Sequence, residues 1–420
     1  MSDLLAIRRH IQGLVRKHRA RPEPMRGMYA PYFRRGVMAI PAFRMKGEGD
    51  VEEVGRVQSL RVMKKATTLP VDCFFYDLED AAPDHPGYKV HARSFVVEAL
   101  RRYDFGRRVV AFRPNNIRTP YFEDDLVEVL THVGDRLHAL VIPKTEYAEE
   151  IADIESIVRD IQRLAGHSNE IALEVLIESP RALLEAEKIA ACPTVSSLTL
   201  GSWDFARTIG GQVRDRGWLQ EQSVVRQQLP IIAAAYGKEA IDAVTVQLPL
   251  RPQRPSGMNE ADYTHALNTG VAGFTPEQHA ALASIDEGVS FVQALQRREE
   301  AIALAARDAL DAHVLGYAGK WVLHPDQIEP IQSAFSPTRE ESLKALALIA
   351  RYARAARAGS GAEVDRDRLA DKAVIGAEWW KVKGGIQAGV LTDKDIEQTG
   401  LSWQELQRTA VSYDGHSSLG

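Results

Sequence analysis

Short apolar runs rich in β-branched and aromatic residues recur eight times along the chain. They read VMAIPAF (37–43), CFFYDLED (73–80), RVVAFRPN (108–115) and ALVIPKTE (139–146), then IALEVLIES (171–179), VSSLTLGSWD (195–204), AIDAVTVQLPL (240–250) and GKWVLHPDQ (319–327). Near-continuous apolar character is what a strand needs when both faces are covered, as in a parallel sheet. Between the runs lie amphipathic stretches such as AEEIADIESIVRDIQRLAG (148–166) and PRALLEAEKIAA (180–191). Eight strand–helix alternations predict an α/β fold of the (β/α)₈ barrel type, placed over residues 35–357.

Most of the runs end in polar or charged residues. Asp77, Glu79 and Asp80 close the second, Arg113 and Asn115 the third, Lys144 and Glu146 the fourth. Glu178 and Asp204 close the fifth and sixth, His324 and Asp326 the eighth. A core strand gains nothing from charge at one end only, whereas a barrel builds its chemistry at the C-terminal ends of its strands. Glu178 and Asp204 are separated by one strand–helix–strand unit, so a right-handed crossover sets them on adjacent strand ends. Two carboxylates there suit Mg²⁺, which takes one or two protein carboxylates and leaves positions for substrate and water. The structural alternative pairs Glu178 with Arg181 and makes Asp204 a helix cap.

Other strand ends carry their own alternatives. Arg113 closes an apolar strand with a rigid fork suited to a carboxylate or a developing enolate oxygen, or to an ion pair with a DLED acid. Alternation puts Asp77 and Glu79 on one face and Leu78 and Asp80 on the other. Glu79 is placed to reach a metal through water, and Asp80 to act beside it or to cap. Lys144 is in the position of a Schiff-base lysine, but Glu146 two residues on is expected to keep the amine charged, which argues against nucleophilic use. His324, beside a proline, is read as holding a turn or as an acid–base group.

Three segments depart from the rhythm. Residues 1–34 form a basic stretch, LLAIRRHIQGLVRKHRA and a Pro-containing connector, expected to be an added helix packing on the domain or a second subunit, with a transit peptide as the alternative. Residues 251–294 are rich in Pro, Gly and polar residues and are read as a βα-loop insertion over the barrel mouth. The helix REESLKALALIARYARAA is expected to close the barrel. A Gly/Ser break at 358–361 then introduces a tail, 358–420, carrying Trp379 and Trp380 and read as a lid or an arm to a neighbouring subunit.

Composition narrows the classes. Apolar content of 45% and charged content of 26% are those of an ordinary globular protein, and a net charge of −5 gives nucleic acid no footing. Two cysteines, Cys73 and Cys192, build no zinc site or disulfide framework, so a reducing cytoplasm is expected. No apolar run reaches the roughly 18 residues of a membrane span, and there is no secretory h-region at the N-terminus.

Taken in order, AIPAF, KKA (64–66), YDLEDAAPDHPGYKVHAR (76–93), AFRPNN (111–116), VIPKTE (141–146), LEVLIESPRALLEAEKIA (173–190), LTLGSWDFA (198–206) and GYAGKWVLHPDQI (316–328) make the chain resemble the citrate lyase β-subunit-like family. That family holds malyl-CoA and citramalyl-CoA lyases, within the HpcH/HpaI aldolase–citrate lyase superfamily. The resemblance implies a Mg²⁺-dependent carbon–carbon lyase, with Mn²⁺ as a substitute, acting on a β-hydroxy acyl thioester to give an acyl-CoA and a 2-oxo acid. It implies Glu178 and Asp204 as metal ligands, Glu79 and Asp80 as holders of water on the metal, and Arg113 as the group stabilising an enolate oxygen. Asp371, in RLADKAVIGAE (368–378), would complete the site of a neighbouring subunit, with Asp365 and Asp367 as alternatives. Arg35, Lys64 and Lys65 would meet the phosphates of coenzyme A. A homo-oligomer, trimer or hexamer, follows from the shared site. The chain departs from the pattern in the spacing between AIPAF and KKA and in Trp203 before Asp204. The rival functions are thioester hydrolysis, a CoA-free hydroxy-acid aldolase, and a non-catalytic acyl-CoA or metabolite sensor.

Overall fold

All eight apolar runs are strands, and they close on themselves. The computed structural model describes residues 12, 33–213, 222–284, 286–359, 362–365 and 368–411. The basic N-terminal helix therefore lies outside the described residues except for Gln12. The strands are β1 (Gly36–Pro41), β2 (Cys73–Asp77), β3 (Val109–Arg113), β4 (Ala139–Ile142), β5 (Ala172–Ile177), β6 (Val195–Leu200), β7 (Glu239–Asp242) and β8 (Gly319–Val322). They form a closed parallel barrel in sequence order, β8 pairing with β1. The protein is a (β/α)₈ barrel.

The interior is packed rather than open. Val37, Phe75, Val109, Ala111, Val141, Leu176 and Ile241 meet inside it. At the N-terminal end Arg34 plugs the barrel, ion-paired with Glu174 and, at 3.0 Å, with Glu239. Outside the sheet pack α1 (Arg56–Lys64), α2 (Pro86–Arg102), α3 (Phe122–Val133), α4 (Ala148–Ala165), α5 (Pro180–Ala191), the short α6 (Ser202–Thr208) and α7 (Ser223–Ala235). Local chemistry sets their ends. Ser179 caps α5 by accepting from the Ala182 amide at 3.0 Å, and Pro180 opens its first turn without a hydrogen bond to lose.

The insertion is helical and has its own core. Helices α8 (Glu260–Thr269) and α9 (Pro276–Ala283) pack on the start of α10 (Asp286–Leu315) through Ala266, Leu282, Phe291 and Leu295. It leaves the C-terminal end of β7, the edge that carries the strand-end carboxylates. The same 30-residue α10 then supplies Ala305, Ala309 and Ala312 to the barrel's outer core. A buried charge cluster pins it there. Arg226 of α7 contacts Asp242 at 2.7 Å and Asp308 of α10 at 3.0 Å, and Lys320 of β8 contacts the same two carboxylates at 2.8 and 2.7 Å. Two cations and two carboxylates balance, which is what burying four charges requires.

The barrel unit runs to Phe335 and ends with α11 (Ile328–Ala334), so the domain boundary falls at Phe335/Ser336 and not at 357/358. A second compact unit takes in the residues from Ser336. It holds α12 (Arg339–Arg357), the β9 (Glu363–Asp365) and β10 (Arg368–Ala370) hairpin, α13 (Lys372–Gln387), α14 (Asp393–Glu397) and α15 (Trp403–Val411). Leu346, Ile349, Ile375, Trp379, Val382 and Leu406 form its core, where each fully buried apolar side chain contributes roughly 1.5–3 kcal/mol. The helix expected to close the barrel belongs to this core instead. Trp379 packs on Trp403 with ring centres 4.6 Å apart and planes tilted by 39°, while Trp380 receives the Lys383 ammonium at 5.1 Å.

Candidate active site

Pairing register brings the strand-end charges into one ring. Asp77 and Arg113 are direct partners across β2 and β3, and Ile177 and Leu200 across β5 and β6. Glu178 therefore emerges beside Gly201, three residues before Asp204.

Arg113 is buried at the mouth over the touching rings of Phe75 and Trp321, whose centres are 4.9 Å apart, its guanidinium carbon 5.6 Å from each. Its Nε and Nη2 donate to the two oxygens of Asp77 at 2.7 and 2.6 Å. Nη1 lies 3.3 Å from Glu79 Oε2, and Nη2 3.3 Å from Asp80 Oδ2. Burial works against the guanidinium charge, but Asp77, Glu79 and Asp80 outweigh it and hold its pKa above the ordinary value. Asp77 is spent on this pairing and on the turn after β2, where it accepts from the Glu79 amide at 2.9 Å and the Ala81 amide at 3.2 Å. Lys89 of α2 pins the same turn by donating to the carbonyls of Leu78 and Glu79 at 2.5 and 2.8 Å.

Glu79 and Asp80 differ in environment although they are adjacent. Burial pushes Glu79 up to about 7 against the pull of Arg113. Asp80 is half exposed, and Arg113, Glu79 and Lys144 overcome its smaller burial cost and lower its pKa. Oxygen Oε2 of Glu79 is buried and makes no hydrogen bond.

Glu178 is buried, and burial pushes its carboxyl up to about 8. Arg113 and the Lys144 amide oppose that shift, and the charges of Asp204 and Glu79 add to it. It does not pair with Arg181, which lies 5.8 Å from the Tyr147 ring instead. Asp204 sits in the first turn of α6, behind the N-cap Gly201, and pairs with Arg207 at 2.5 Å. It is partly exposed to the mouth.

Among the described residues no three His, Cys, Asp or Glu side chains gather tightly enough to close a metal shell by themselves. The donors that are present fit Mg²⁺ in another way. Two carboxylates at adjacent strand ends, with Glu79 Oε2 buried without a hydrogen bond and only ion-paired to Arg113, form an oxygen-only, incomplete set that leaves room for water and substrate.

Lys144 was not legible from its neighbours in sequence. Its ammonium pairs with Glu79 and, at 3.1 Å, with Asp80, not with Glu146. Glu146 instead accepts from Ser179 Oγ at 2.9 Å. Burial works against the ammonium, but the two acids raise its pKa above the ordinary value, so it is no Schiff-base nucleophile. Trp321 and Gly201 were also missed. Trp321 looks like one more apolar strand residue, and a glycine before a short helix carries no distinctive signal.

The structure does not bring Arg35 to this mouth. It precedes β1 at the N-terminal edge of the barrel and forks onto Asp72 at 2.8 Å. Lys64 and Lys65 are exposed at the end of α1, and the pKa of His324 is lowered chiefly by burial, with the charges of Arg251, Arg298 and Lys65 adding to it. His324 holds its turn, accepting from the Asp326 amide at 3.2 Å. Asp371, in the second unit, caps α13 by accepting from the amides of Ala373 and Val374 at 3.0 and 3.1 Å. Asp365 lies in β9, and Asp367 is outside the described residues.

Residues 57–253 match the model of the family described as HpcH/HpaI aldolase/citrate lyase. The L-malyl-CoA/beta-methylmalyl-CoA lyase of Cereibacter sphaeroides is 30% identical over 319 residues, which span 75% of this chain and 87% of that protein. The chain belongs to the HpcH/HpaI aldolase/citrate lyase family. This family member is thus an enzyme of the carbon–carbon lyase class. A (3S)-malyl-CoA thioesterase of Cereibacter sphaeroides is 26% identical over 305 residues, 72% of this chain and 83% of that protein. Among solved structures, a citrate lyase from Burkholderia xenovorans shares the fold with a TM-score of 0.62 at 19% identity, covering 88% of this chain and 97% of the other. The CitE protein of Mycobacterium tuberculosis, solved with magnesium, acetoacetate and coenzyme A, shares it at 0.52 and 19%, covering 84% and 97%. No helix of the described residues is long and apolar enough to cross a membrane.

Proposed function

We propose that this enzyme is a Mg²⁺-dependent lyase that cleaves, or in reverse forms, a β-hydroxy acyl-CoA of the malyl or methylmalyl type, giving an acyl-CoA and a 2-oxo acid. The observation that carries the reading is the ring of Glu178, Asp204 and Arg113 on three strand ends of one barrel mouth. The malyl-CoA lyase relative supports a substrate of that kind.

Glu178 and Asp204 would hold the cation, and Glu79 and Asp80 would orient solvent around it. Bound there, Mg²⁺ supplies Lewis acidity and a chelating template for the 2-oxo acid fragment. In cleavage the hydroxyl would pass its proton to solvent held by Glu79 and Asp80, its carbon becomes a carbonyl, and the bond to the thioester α-carbon breaks with the electron pair leaving as an enolate. Arg113, charged at any working pH and fixed by Asp77, offsets the negative oxygen of that enolate. Asp371 of the partner subunit would protonate the enolate carbon or serve as base in reverse, which makes the protein a homo-oligomer. Lys64 and Lys65, exposed at the end of α1, are the remaining candidates for coenzyme A phosphates.

The thioesterase relative favours hydrolysis as the second reading. One assay separates the two. Malyl-CoA, methylmalyl-type thioesters and citramalyl-CoA are incubated with Mg²⁺ and with EDTA, and keto acid, acyl-CoA and free CoA are quantified. Magnesium-dependent release of keto acid together with acyl-CoA is expected. Free CoA without keto acid would assign hydrolysis. No turnover on any of them would sink the thioester reading.

A further inference from the structure

Lys144 is, among the described residues, the sole non-glycine residue with a left-handed backbone, at φ 52°. Residues with a side chain adopt that conformation at a cost, and such strain persists only where surrounding contacts hold it. Here the turned peptide donates its N–H to Glu178 Oε2 at 2.7 Å. Its carbonyl accepts from Arg118 Nη1 at 2.8 Å and Asn116 Nδ2 at 3.2 Å. The ammonium is anchored on Glu79 and Asp80, at the end of β2. One residue after β4 therefore ties the acids of β2 to the carboxylate of β5. With Oε2 held by the amide, Oε1 of Glu178 is the oxygen turned toward Gly201 at the end of β6.

We infer that Lys144 is a positioning residue: its left-handed peptide selects which oxygen of Glu178 faces the cation, and its ammonium anchors that strained peptide on the Glu79–Asp80 pair. The inference rests on the magnesium reading above. It gives the lysine a role distinct from nucleophilic chemistry and explains why a residue disfavoured in this conformation stands here.

The two functions separate by mutation. Lys144→Gly removes the ammonium but also the strain, so the peptide holds its orientation without an anchor. Lys144→Ala removes the same ammonium and keeps the strain, so the peptide relaxes and the amide leaves Glu178. Magnesium binding is read by isothermal titration calorimetry on the full chain with MgCl₂ alone, and folding by circular dichroism. The glycine variant should bind Mg²⁺ within about threefold of wild type, and the alanine variant about tenfold more weakly. Equal affinities for the two variants overturn the inference. Should the alanine variant fail to fold, Lys144→Asn serves, because asparagine tolerates the left-handed region and must match glycine. An asparagine variant that binds about tenfold more weakly overturns it too. Wild-type protein without Mg²⁺ binding removes this inference and the reading beneath it together. Wild-type binding with indistinguishable variants removes this inference alone.

Discussion

Glu178 occupies the space in which a side chain on Gly201 would stand. A Cβ built at 201 lies 2.3 Å from Glu178 Cγ and 2.6 Å from Oε1. The backbone there, at φ −96°, is open to any residue, so space alone demands the glycine. Gly201→Ala should displace the carboxylate and lower kcat by about 10²-fold, the scale on which catalytic geometry fails when groups move by an ångström. Turnover measured beside a melting curve tests this. An alanine variant with full activity would show that Glu178 is not held where the chemistry needs it.

The raised pKa of Glu178 gives a stability signature with a definite sign. In the unfolded chain the carboxyl titrates at its ordinary 4.5, and in the fold at about 8. Between these values the folded protein holds a proton that the unfolded chain releases, so metal-free protein loses stability as pH rises. Glu178→Gln removes the titration. Melting curves in EDTA should show the glutamine variant gaining on wild type between pH 5 and pH 8, by about 1.4 kcal/mol per pH unit at most. A glutamine variant that loses ground to wild type as pH rises contradicts the burial argument.

Arg113→Lys keeps a charge but loses the fork onto Asp77 and the guanidinium's contact with the rings of Phe75 and Trp321. Oxyanion-stabilising groups are worth about 10²–10³ in kcat, and the lysine variant should lose that much. Substrate affinity should change less than kcat, which steady-state kinetics resolves. A variant losing only KM would reassign Arg113 to ground-state binding.

For Asp371 the observed helix cap and the proposed role at a neighbouring barrel can be separated. Alanine there removes a helix cap and should cost about 1 kcal/mol of stability. If Asp371 also serves a neighbouring barrel, mixing unfolded Asp371→Ala and Glu178→Gln chains and refolding them together should restore up to about a quarter of wild-type turnover, because some sites draw one intact residue from each partner. A fully active Asp371→Ala protein would leave the residue with the cap alone.

Lys320→Met tests the charge cluster behind β8. Removing one cation leaves Asp242 and Asp308 sharing Arg226 in a buried site, and breaking such a balance costs about 3–5 kcal/mol. Chemical denaturation should find that loss. A methionine variant as stable as wild type would mean that the cluster contributes specificity without net stability.

The barrel was legible because its strands are short and largely apolar, and most of the apolar runs are closed by polar or charged residues. The mouth was legible for the same reason: Glu79, Asp80, Arg113, Glu178 and Asp204 all stand at or within four residues of the end of an apolar strand. What sequence proximity hid is who touches whom. Glu146, two residues from Lys144, binds Ser179, whereas Glu79 and Asp80, more than sixty residues away, bind Lys144. Arg35 adjoins a strand as Arg113 does, but it stands at the start of β1 and so at the opposite edge. The helix Arg339–Arg357 has an apolar stripe that fits any partner, and nothing in the stripe says that Trp379 and Leu406 are the partners rather than the barrel. Gly201 gave no sign, since a glycine required by a neighbour's bulk looks like one required by a turn.

Helix α10 makes the insertion a lever. It is continuous from Asp286 to Leu315, and the charge cluster grips it at Asp308. From that grip to the tip is about 33 Å of unbroken helix, so a tilt of about 10° carries the tip through roughly 6 Å. A single rod spans the wall and the insertion, whereas the other connection, residues 243–259, is irregular chain. The rod therefore ties the insertion's surface to two carboxylates and two cations behind the sheet, and a small tilt there is magnified at the tip.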